Sequence, residues 1–384
     1  MGCGLALPTV AWLLLGAAVE PDVSLRTDGR ETRYVAAGAV TYRSAASAIP
    51  QAALAVDAAP LKLQAGYAAT FWTSDVGTQP SALVNHAADA RLELAPDAPW
   101  RATASANLLR GETDPLASVP TASSAGASQL ASSGPIPYQS LRSTLRLERQ
   151  LDPRWTLAGD GRWSDTRALR GELASLLPPQ RTAGGSAGLS YRATERDTVT
   201  VRTSGDWSET DTVGGYTTGV ALSADGSWRR ALTPTVDGWT RAGVGWLRAD
   251  EPLVATRRDL LPVAGLGLVR TAERGGVGID LSTNLTSAVD RFKGDVRPVV
   301  DARLVFSWSP AAYVLLAAQA SGARRLDGDT TLGAADLRFS WTVRPRVAVE
   351  GGALWRLQRE RRPELPSFSE TGVFMGLRVT SSRR

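Results

Sequence analysis

The chain has 384 residues, of which 43% are hydrophobic and 21% charged, and its formal net charge is +5. Beyond the first 20 residues, no apolar run reaches the roughly 18 residues that a transmembrane helix needs, so a membrane-spanning form of this chain would have to be a β-barrel. Basic residues are spread along the chain, usually two positions from an acid, and this distribution excludes nucleic acid as an expected partner.

The first 18 residues predict a secretory signal peptide. Residues 5–18 are apolar and end in Gly16-Ala17-Ala18, which is similar to a small-residue cleavage site. The single cysteine, Cys3, precedes the apolar core, so we expect no lipoprotein anchor and no disulfide or thiolate metal site in the mature chain. Residues 19–30 are predicted to be a short periplasmic lead. This lead is too short for the plug domain of a TonB-type receptor, and we do not expect that class.

From residue 31 to residue 380 the chain predicts about 18 strands with period-two alternation. The first two are placed at residues 31–43 and 51–56. The clearest hairpin spans residues 138–166, where apolar and charged positions alternate on both sides of a tight turn. Strands of about 12–16 residues exceed those of soluble sheets and suit a tilted crossing of a bilayer.

Connection lengths support the same interpretation. Counting from the first strand, every second connection is tight and contains proline or paired charges, whereas the others are longer or less regular, as in barrels with short periplasmic turns. The longest, residues 113–137, is predicted to be an external loop that either folds inward as a constriction or stays on the surface. The predicted fold is an all-β, antiparallel transmembrane β-barrel of about 18 strands in the outer membrane of a Gram-negative bacterium, with residues 381–384 as a C-terminal tail.

Acids and arginines recur two apart on one parity of the strands, with apolar neighbours on the other. An arginine at the bilayer midplane costs about 2–4 kcal/mol, so the charged parity should face the lumen. Cross-strand ion pairs that brace the wall are the simpler interpretation; a track for an ionic or hydroxyl-rich substrate is the alternative. The predicted lumen-facing charged residues are Asp89, Arg91, Arg142, Arg146, Glu148, Asp160, Arg162, Arg202, Asp206, Asp280, Asp301, Arg303, Asp336, Arg338, Glu350, Arg356 and Arg378.

Aromatic side chains near the strand ends predict two interface girdles, with sugar-stacking platforms as the alternative. The girdle residues are Trp100, Trp155, Trp163, Trp207, Trp308, Tyr313 and Trp341. At about 18 strands the lumen should hold water rather than its own side chains.

Nothing in the sequence favours an enzyme. The single histidine, His86, lies between Ser81 and Asp89 near the outer end of a strand and is interpreted as a loop histidine, because no second catalytic element can be placed beside it. No metal-spaced cluster or phosphate-binding glycine loop is present in the sequence, so no cofactor is expected.

Three stretches carry a resemblance to a known group: Asp22-Val23-Ser24-Leu25-Arg26, Ile136-Pro137-Tyr138, and the turn Leu151-Asp152-Pro153-Arg154-Trp155. In these the chain resembles myxobacterial outer-membrane β-barrel proteins of exopolysaccharide and spore-coat polysaccharide secretion. The resemblance implies a barrel that completes polysaccharide export together with a periplasmic polysaccharide export protein. The partners expected are therefore outer-membrane lipid, that export protein and the polymer. A general diffusion porin, or a structural or adhesive barrel acting through its external loops, are the alternatives.

Overall fold

The computed structural model describes residues 18–36, 39–74, 81–94, 99–113, 136–171, 177–212, 215–252, 256–271, 277–289, 296–326, 330–360 and 367–381. These residues form 18 strands, and no helix among them is long and apolar enough to cross a bilayer. The strands are β1 (Ala18–Ala36), β2 (Ala39–Ala58), β3 (Leu61–Ser74), β4 (Ser81–Leu94), β5 (Trp100–Thr113), β6 (Ile136–Gln150), β7 (Trp155–Ala168), β8 (Gln180–Arg192), β9 (Asp197–Thr212), β10 (Gly215–Thr233), β11 (Val236–Asp250), β12 (Arg257–Arg270), β13 (Val277–Val289), β14 (Val296–Ala311), β15 (Val314–Arg325), β16 (Thr330–Arg344), β17 (Val347–Glu360) and β18 (Phe368–Thr380).

The strands close into a ring. Each is antiparallel to its neighbours in the chain, and β18 pairs with β1 from Ser24 opposite Thr380 to Ala36 opposite Phe368. Closure removes the sheet edges, so the backbone hydrogen bonds are made between strands, as a hydrocarbon environment requires. The predicted fold, an all-β antiparallel barrel of about 18 strands, is confirmed.

The N-terminal hairpin differs from the prediction. Residues 19–30, predicted to be a periplasmic lead, belong to β1, and residues 31–43 are the end of β1 and the start of β2 rather than one strand. The lead was misinterpreted because its polar residues Asp22 and Arg26 occupy one face of β1, while Val23 and Leu25 occupy the other. The predicted signal peptide falls almost wholly on residues 1–17, which lie outside the described residues.

Most connections at one end of the barrel are shorter than those at the other end, but short and long connections do not alternate strictly along the chain. At the end that carries the strand termini Ala18 and Thr380, the turns include the two-residue connections 312–313 and 345–346. The opposite end has the longest connection, residues 114–135, which lies outside the described part of the chain. Two connections at that end, 37–38 and 213–214, are only two residues long, so the predicted alternation of short and long connections is not strict.

The register gives the sheet one apolar face around the ring, because residues directly opposite each other in a ladder point to the same side. Large apolar side chains on this face are exposed in nearly every strand. In a barrel of this kind such exposure indicates contact with lipid rather than water. Examples are Leu25, Leu54, Tyr67, Val84, Leu108, Leu147, Leu157, Leu189, Val201, Leu222, Val244, Leu266, Leu281, Leu304, Leu337, Trp355 and Val373.

The shortest ladder in the ring, among the described residues, is that between β12 and β13. The ladder between β12 and β13 covers only residues 264–270 of β12, so residues 257–263, called here the seam, form no ladder with the described residues of β13. Pro262 lies in the seam and has no backbone N–H to donate. Cα atoms of β14 lie within 8 Å of Cα atoms of β11 and β10, three and four strands away. The end of the β13–β14 hairpin farthest from the short turns therefore lies against the inner face of β10–β12. Leu247 on that face is only 3% exposed.

Candidate functional site: the inner wall of the barrel

The inner wall is the sheet face opposite the apolar one. Among the described residues, three ion pairs on this face join strands that are not neighbours: Arg162 of β7 with Asp206 of β9, at 2.5 Å; Arg202 of β9 with Asp160 of β7, at 3.0 Å; and Arg26 of β1 with Glu350 of β17, at 3.4 Å. Side chains two strands apart converge on the concave side of a barrel and diverge on the convex side. This geometry identifies the charged face as the inner one.

By register, each charged residue predicted to face the lumen lies on the inner wall. Most of them are brought together as ion pairs. Arg338 contacts Asp336 at 2.6 Å, and Arg378 contacts Glu350 at 3.3 Å. The described residues pair neither Asp280 nor Arg303 with an opposite charge, although both lie on the same wall.

The ion pair between Arg162 and Asp206 crosses over β8 at Gly184. A Cβ atom on Gly184 would overlap the carboxylate of Asp206 and would lie 3.1 Å from Nε of Arg162. Ser186 of β8 donates a hydrogen bond to Asp160. The small residues of β8 thus let the charges of β7 and β9 neutralise each other directly.

A second charged group lies on β4, β5 and β6. Arg91 contacts Glu93 at 2.6 Å, and Glu148 accepts contacts from Arg101 at 2.7 Å and from Arg146 at 3.3 Å. These residues line an open pocket of about 430 Å³. The Arg146 side chain is 66% exposed. Solvent therefore reaches the arginine heads of this part of the wall.

In the part of the chain that the structure describes, two ion pairs on the inner wall are buried. Arg241 of β11 contacts Asp225 of β10 at 2.6 Å, with only 3% of the Asp225 side chain exposed. Arg356 of β17 contacts Glu370 of β18 at 3.1 Å, with 1% of the Glu370 side chain exposed. The sequence pattern of acid and arginine two residues apart missed Asp225, Arg241 and Glu370, because their partners lie on neighbouring strands. Only the strand register reveals such pairs.

Hydroxyl groups form a further feature of the wall, which the sequence pattern alone does not predict. Between β5 and β10, serine and threonine side chains on neighbouring strands hydrogen-bond in pairs, and we call this region the hydroxyl sector. The pairs are Ser105 with Thr144 (2.7 Å), Ser140 with Thr166 (2.8 Å), Ser164 with Thr182 (2.7 Å), Ser190 with Thr200 (2.8 Å) and Ser204 with Ser223 (2.7 Å). As with the buried ion pairs, each partner comes from another strand.

The predicted girdle tryptophans lie on the outer face. Trp100, Trp155, Trp308 and Trp341 are near the end with the shorter turns, where Tyr313 lies in a turn; Trp163 and Trp207 lie toward the other end. The rings of Trp155 and Tyr191 pack with their centroids 4.6 Å apart. The indole rings therefore face away from the lumen. This placement suits an interface role and does not suit sugar stacking inside the channel.

His86 lies within β4 on the outer face, so its interpretation as a loop histidine is wrong. Its Nδ1 is 2.7 Å from the Tyr67 hydroxyl, and the two rings stack with centroids 6.1 Å apart. Asp89 is on the opposite face of the same strand, so the backbone geometry separates it from His86. Within the described ranges, no group of three or more His, Cys, Asp or Glu side chains could hold a metal ion.

No protein-family model matches this sequence, and no curated protein matches it either. Among solved structures, the FrpB iron transporter from Neisseria meningitidis is similar, with a TM-score of 0.51, 10% identity and coverage of 91% of this chain. The match spans 65% of the FrpB chain. Pseudomonas aeruginosa OccK2 in complex with glucuronate matches with a TM-score of 0.48, 11% identity and coverage of 94% of this chain and 99% of that one. Acinetobacter baumannii OccAB2 matches with a TM-score of 0.46, 10% identity and coverage of 94% and 98%.

At 10% identity the likeness to FrpB shows the fold alone. The closed ring of 18 antiparallel strands, with apolar side chains outward and paired charges inward, defines a β-barrel of the Gram-negative outer membrane. The predicted localisation is confirmed. The narrower resemblance to polysaccharide-secretion barrels stays a prediction.

Proposed function

We propose that this protein is a water-filled channel through which hydrophilic solutes cross the outer membrane passively. The observation that carries the proposal is the exposure of charged side chains on the inner wall, such as Arg146 at 66% and Arg338 at 62%. A barrel of 16–18 strands is wide enough to enclose an aqueous channel. Exposed arginine heads require hydration, which such a channel supplies.

The pairing of the charges supports weak selectivity. Arg91, Arg101, Arg146 and Arg162 each lie within 4 Å of a carboxylate, so much of their field is cancelled close to the wall. A channel of this kind passes small ions of both signs and neutral hydrophilic solutes. We expect a permeability ratio between chloride and potassium within about threefold of unity.

Polysaccharide export is the second candidate. The hydroxyl sector supports it, because pairs such as Ser105 with Thr144 offer weak, repeated hydrogen bonds to a hydroxyl-rich polymer. In this version the short turns would meet a periplasmic export protein. The two candidates share the open lumen and differ in what occupies it.

Single-channel recording of the refolded protein in planar bilayers tests both candidates. A steady conductance that neutral and acidic polysaccharides leave unchanged supports the diffusion channel, and block by polymer supports export. Arg146→Gln should shift the reversal potential toward cations. Arg248→Gln is the matched control, because Arg248 lies on the outer face and pairs with Asp250 at 2.9 Å. Absence of current from correctly folded protein would refute both proposals.

A further inference from the structure

A row of basic residues crosses the outer face of β4 to β7. His86 is opposite Arg110 in the β4–β5 ladder, Arg110 is opposite Gln139 in the β5–β6 ladder, and Gln139 is opposite Arg167 in the β6–β7 ladder. His86 lies on the same face of the sheet as the exposed Tyr67. We call His86, Arg110 and Arg167 the basic row.

The basic row lies at the outer edge of the apolar band. Arg167 is four residues beyond Trp163 on the same face of β7, in the direction away from the short turns, and Arg110 is two residues beyond the exposed Leu108 on β5. Tryptophan in this position marks the membrane interface. The row therefore lies at the level of the headgroups of the outer leaflet.

The guanidinium groups of the basic row lack protein partners within the described ranges. Neither Arg110 nor Arg167 forms an ion pair with a described carboxylate, and both are exposed. Two other outward arginines near this end are paired: Arg181 contacts Glu209 at 3.7 Å, and Arg248 contacts Asp250 at 2.9 Å.

Geometry allows Arg110 and Arg167 to share one anion. Their strands are separated by β6, which places their backbones about 10 Å apart, and two arginine side chains can close that span. Guanidinium groups bind phosphate oxygens in bidentate fashion, most strongly where water is partly excluded. The Tyr67 hydroxyl, 2.7 Å from His86 Nδ1, holds the imidazole ring at the end of the row.

We propose that the basic row binds a phosphate group of a phosphorylated glycolipid in the outer leaflet. Charge complementarity and depth in the membrane together select this occupant. The two arginines are cationic and lie at headgroup level, and the side chains below them include the exposed apolar Leu108 and Trp163 as well as the single carboxylate of Asp165. The site lies on the outside of the barrel. Lipid binding at this site therefore does not depend on what passes through the lumen.

The test uses the full chain folded in neutral detergent micelles, with bis-phosphorylated lipid A as the probe and its dephosphorylated form as the matched ligand. Binding is followed by the rise in the thermal unfolding midpoint during titration. We expect the phosphorylated form to raise the midpoint by several degrees, with an effect that falls as salt increases. The dephosphorylated form should raise it much less.

Arg110→Gln with Arg167→Gln should weaken the apparent affinity for lipid A at least tenfold. The control pair, Arg181→Gln with Arg248→Gln, removes the same charge from the same level of the barrel and should leave the affinity within about twofold. Unchanged channel conductance verifies that each variant is folded. Arg110→Lys with Arg167→Lys keeps the charge without the bidentate fork, and it should fall between the two pairs.

Three results would overturn the proposal. Equal stabilisation by the dephosphorylated lipid would show that acyl contacts alone are responsible. Inorganic phosphate at the same concentration giving the full shift would show that the lipid is not the source of the anion. Equal loss of affinity in the control pair would show that only the overall outward charge matters.

Discussion

The buried ion pair between Arg241 and Asp225 allows a quantitative prediction. Arg241→Met keeps a long unbranched side chain but leaves the Asp225 carboxylate, whose side chain is 3% exposed, without the guanidinium now 2.6 Å away. Breaking a buried pair by removing one partner costs about 3–5 kcal/mol, because an uncompensated charge stays buried. We therefore expect the variant to lose about that much free energy of unfolding.

The same two strands contain a matched control. Arg229 of β10 contacts Asp237 of β11 at 2.5 Å, but 62% of the Arg229 side chain is exposed. An exposed pair is worth about 0–1 kcal/mol, so Arg229→Met should cost little. The expected difference of about 2–5 kcal/mol corresponds to about 30- to 4,000-fold in the unfolding equilibrium.

Urea unfolding in lipid vesicles measures the difference, followed by the fluorescence of the 12 tryptophans. Adding Asp225→Asn to Arg241→Met should recover part of the lost stability, because the unpaired charge is removed together with its partner. Equal costs for Arg241→Met and Arg229→Met would refute the argument from burial. So would a double variant that is less stable than the sum of the single changes predicts.

Two further predictions concern the backbone. Gly243→Ala should destabilise the barrel by about 1–3 kcal/mol in the same urea assay, because the new Cβ would lie against the backbone of β10. The control is Gly161→Ala, whose new Cβ would meet nothing within 4 Å and should change stability by less than about 0.5 kcal/mol. Equal effects of the two changes would contradict the packing argument. In the seam, the backbone amides of residues 257–263 that point away from β11 should exchange with deuterium at least tenfold faster than those of residues 264–270. Hydrogen exchange followed by mass spectrometry in nanodiscs measures this difference. Equal protection of the two segments would mean that the seam is paired.

The strand count and the two faces followed from the sequence because side-chain alternation is a local property. At residues 145–148, for example, leucine, arginine, leucine and glutamate alternate without interruption. The N-terminal hairpin could not be found in this way. Its two-residue connection falls in the small, apolar run Ala36-Ala37-Gly38-Ala39, and Pro50, ordinarily a strand breaker, lies inside β2.

Side-chain contacts were predictable from the sequence only where both partners lie on the same strand. Asp336 and Arg338 are two apart and on one face, so both the pattern and the structure place them together. The hydroxyl sector and the buried pair of Arg356 with Glu370 depend on register, which in turn depends on turn lengths throughout the ring. The tilt of the β13–β14 hairpin over β10–β12 had no local signal except Pro262.

The way the ring closes sets an order of assembly. β1 and β18 meet along residues 24–36 and 368–380, and beyond the ladder Thr380 donates a hydrogen bond to Asp22 at 2.9 Å, across 358 positions of sequence. Before β18 reaches the membrane, all the other strands can already be paired in one sheet. That sheet would still have two edges with unpaired backbone groups, to which other chains could bind. Closure is therefore the last event of biogenesis. A chain that lacks the final strand would keep two unpaired sheet edges and would tend to associate with other chains. The last thirteen residues of the barrel are therefore the segment whose arrival at the membrane decides whether the ring closes.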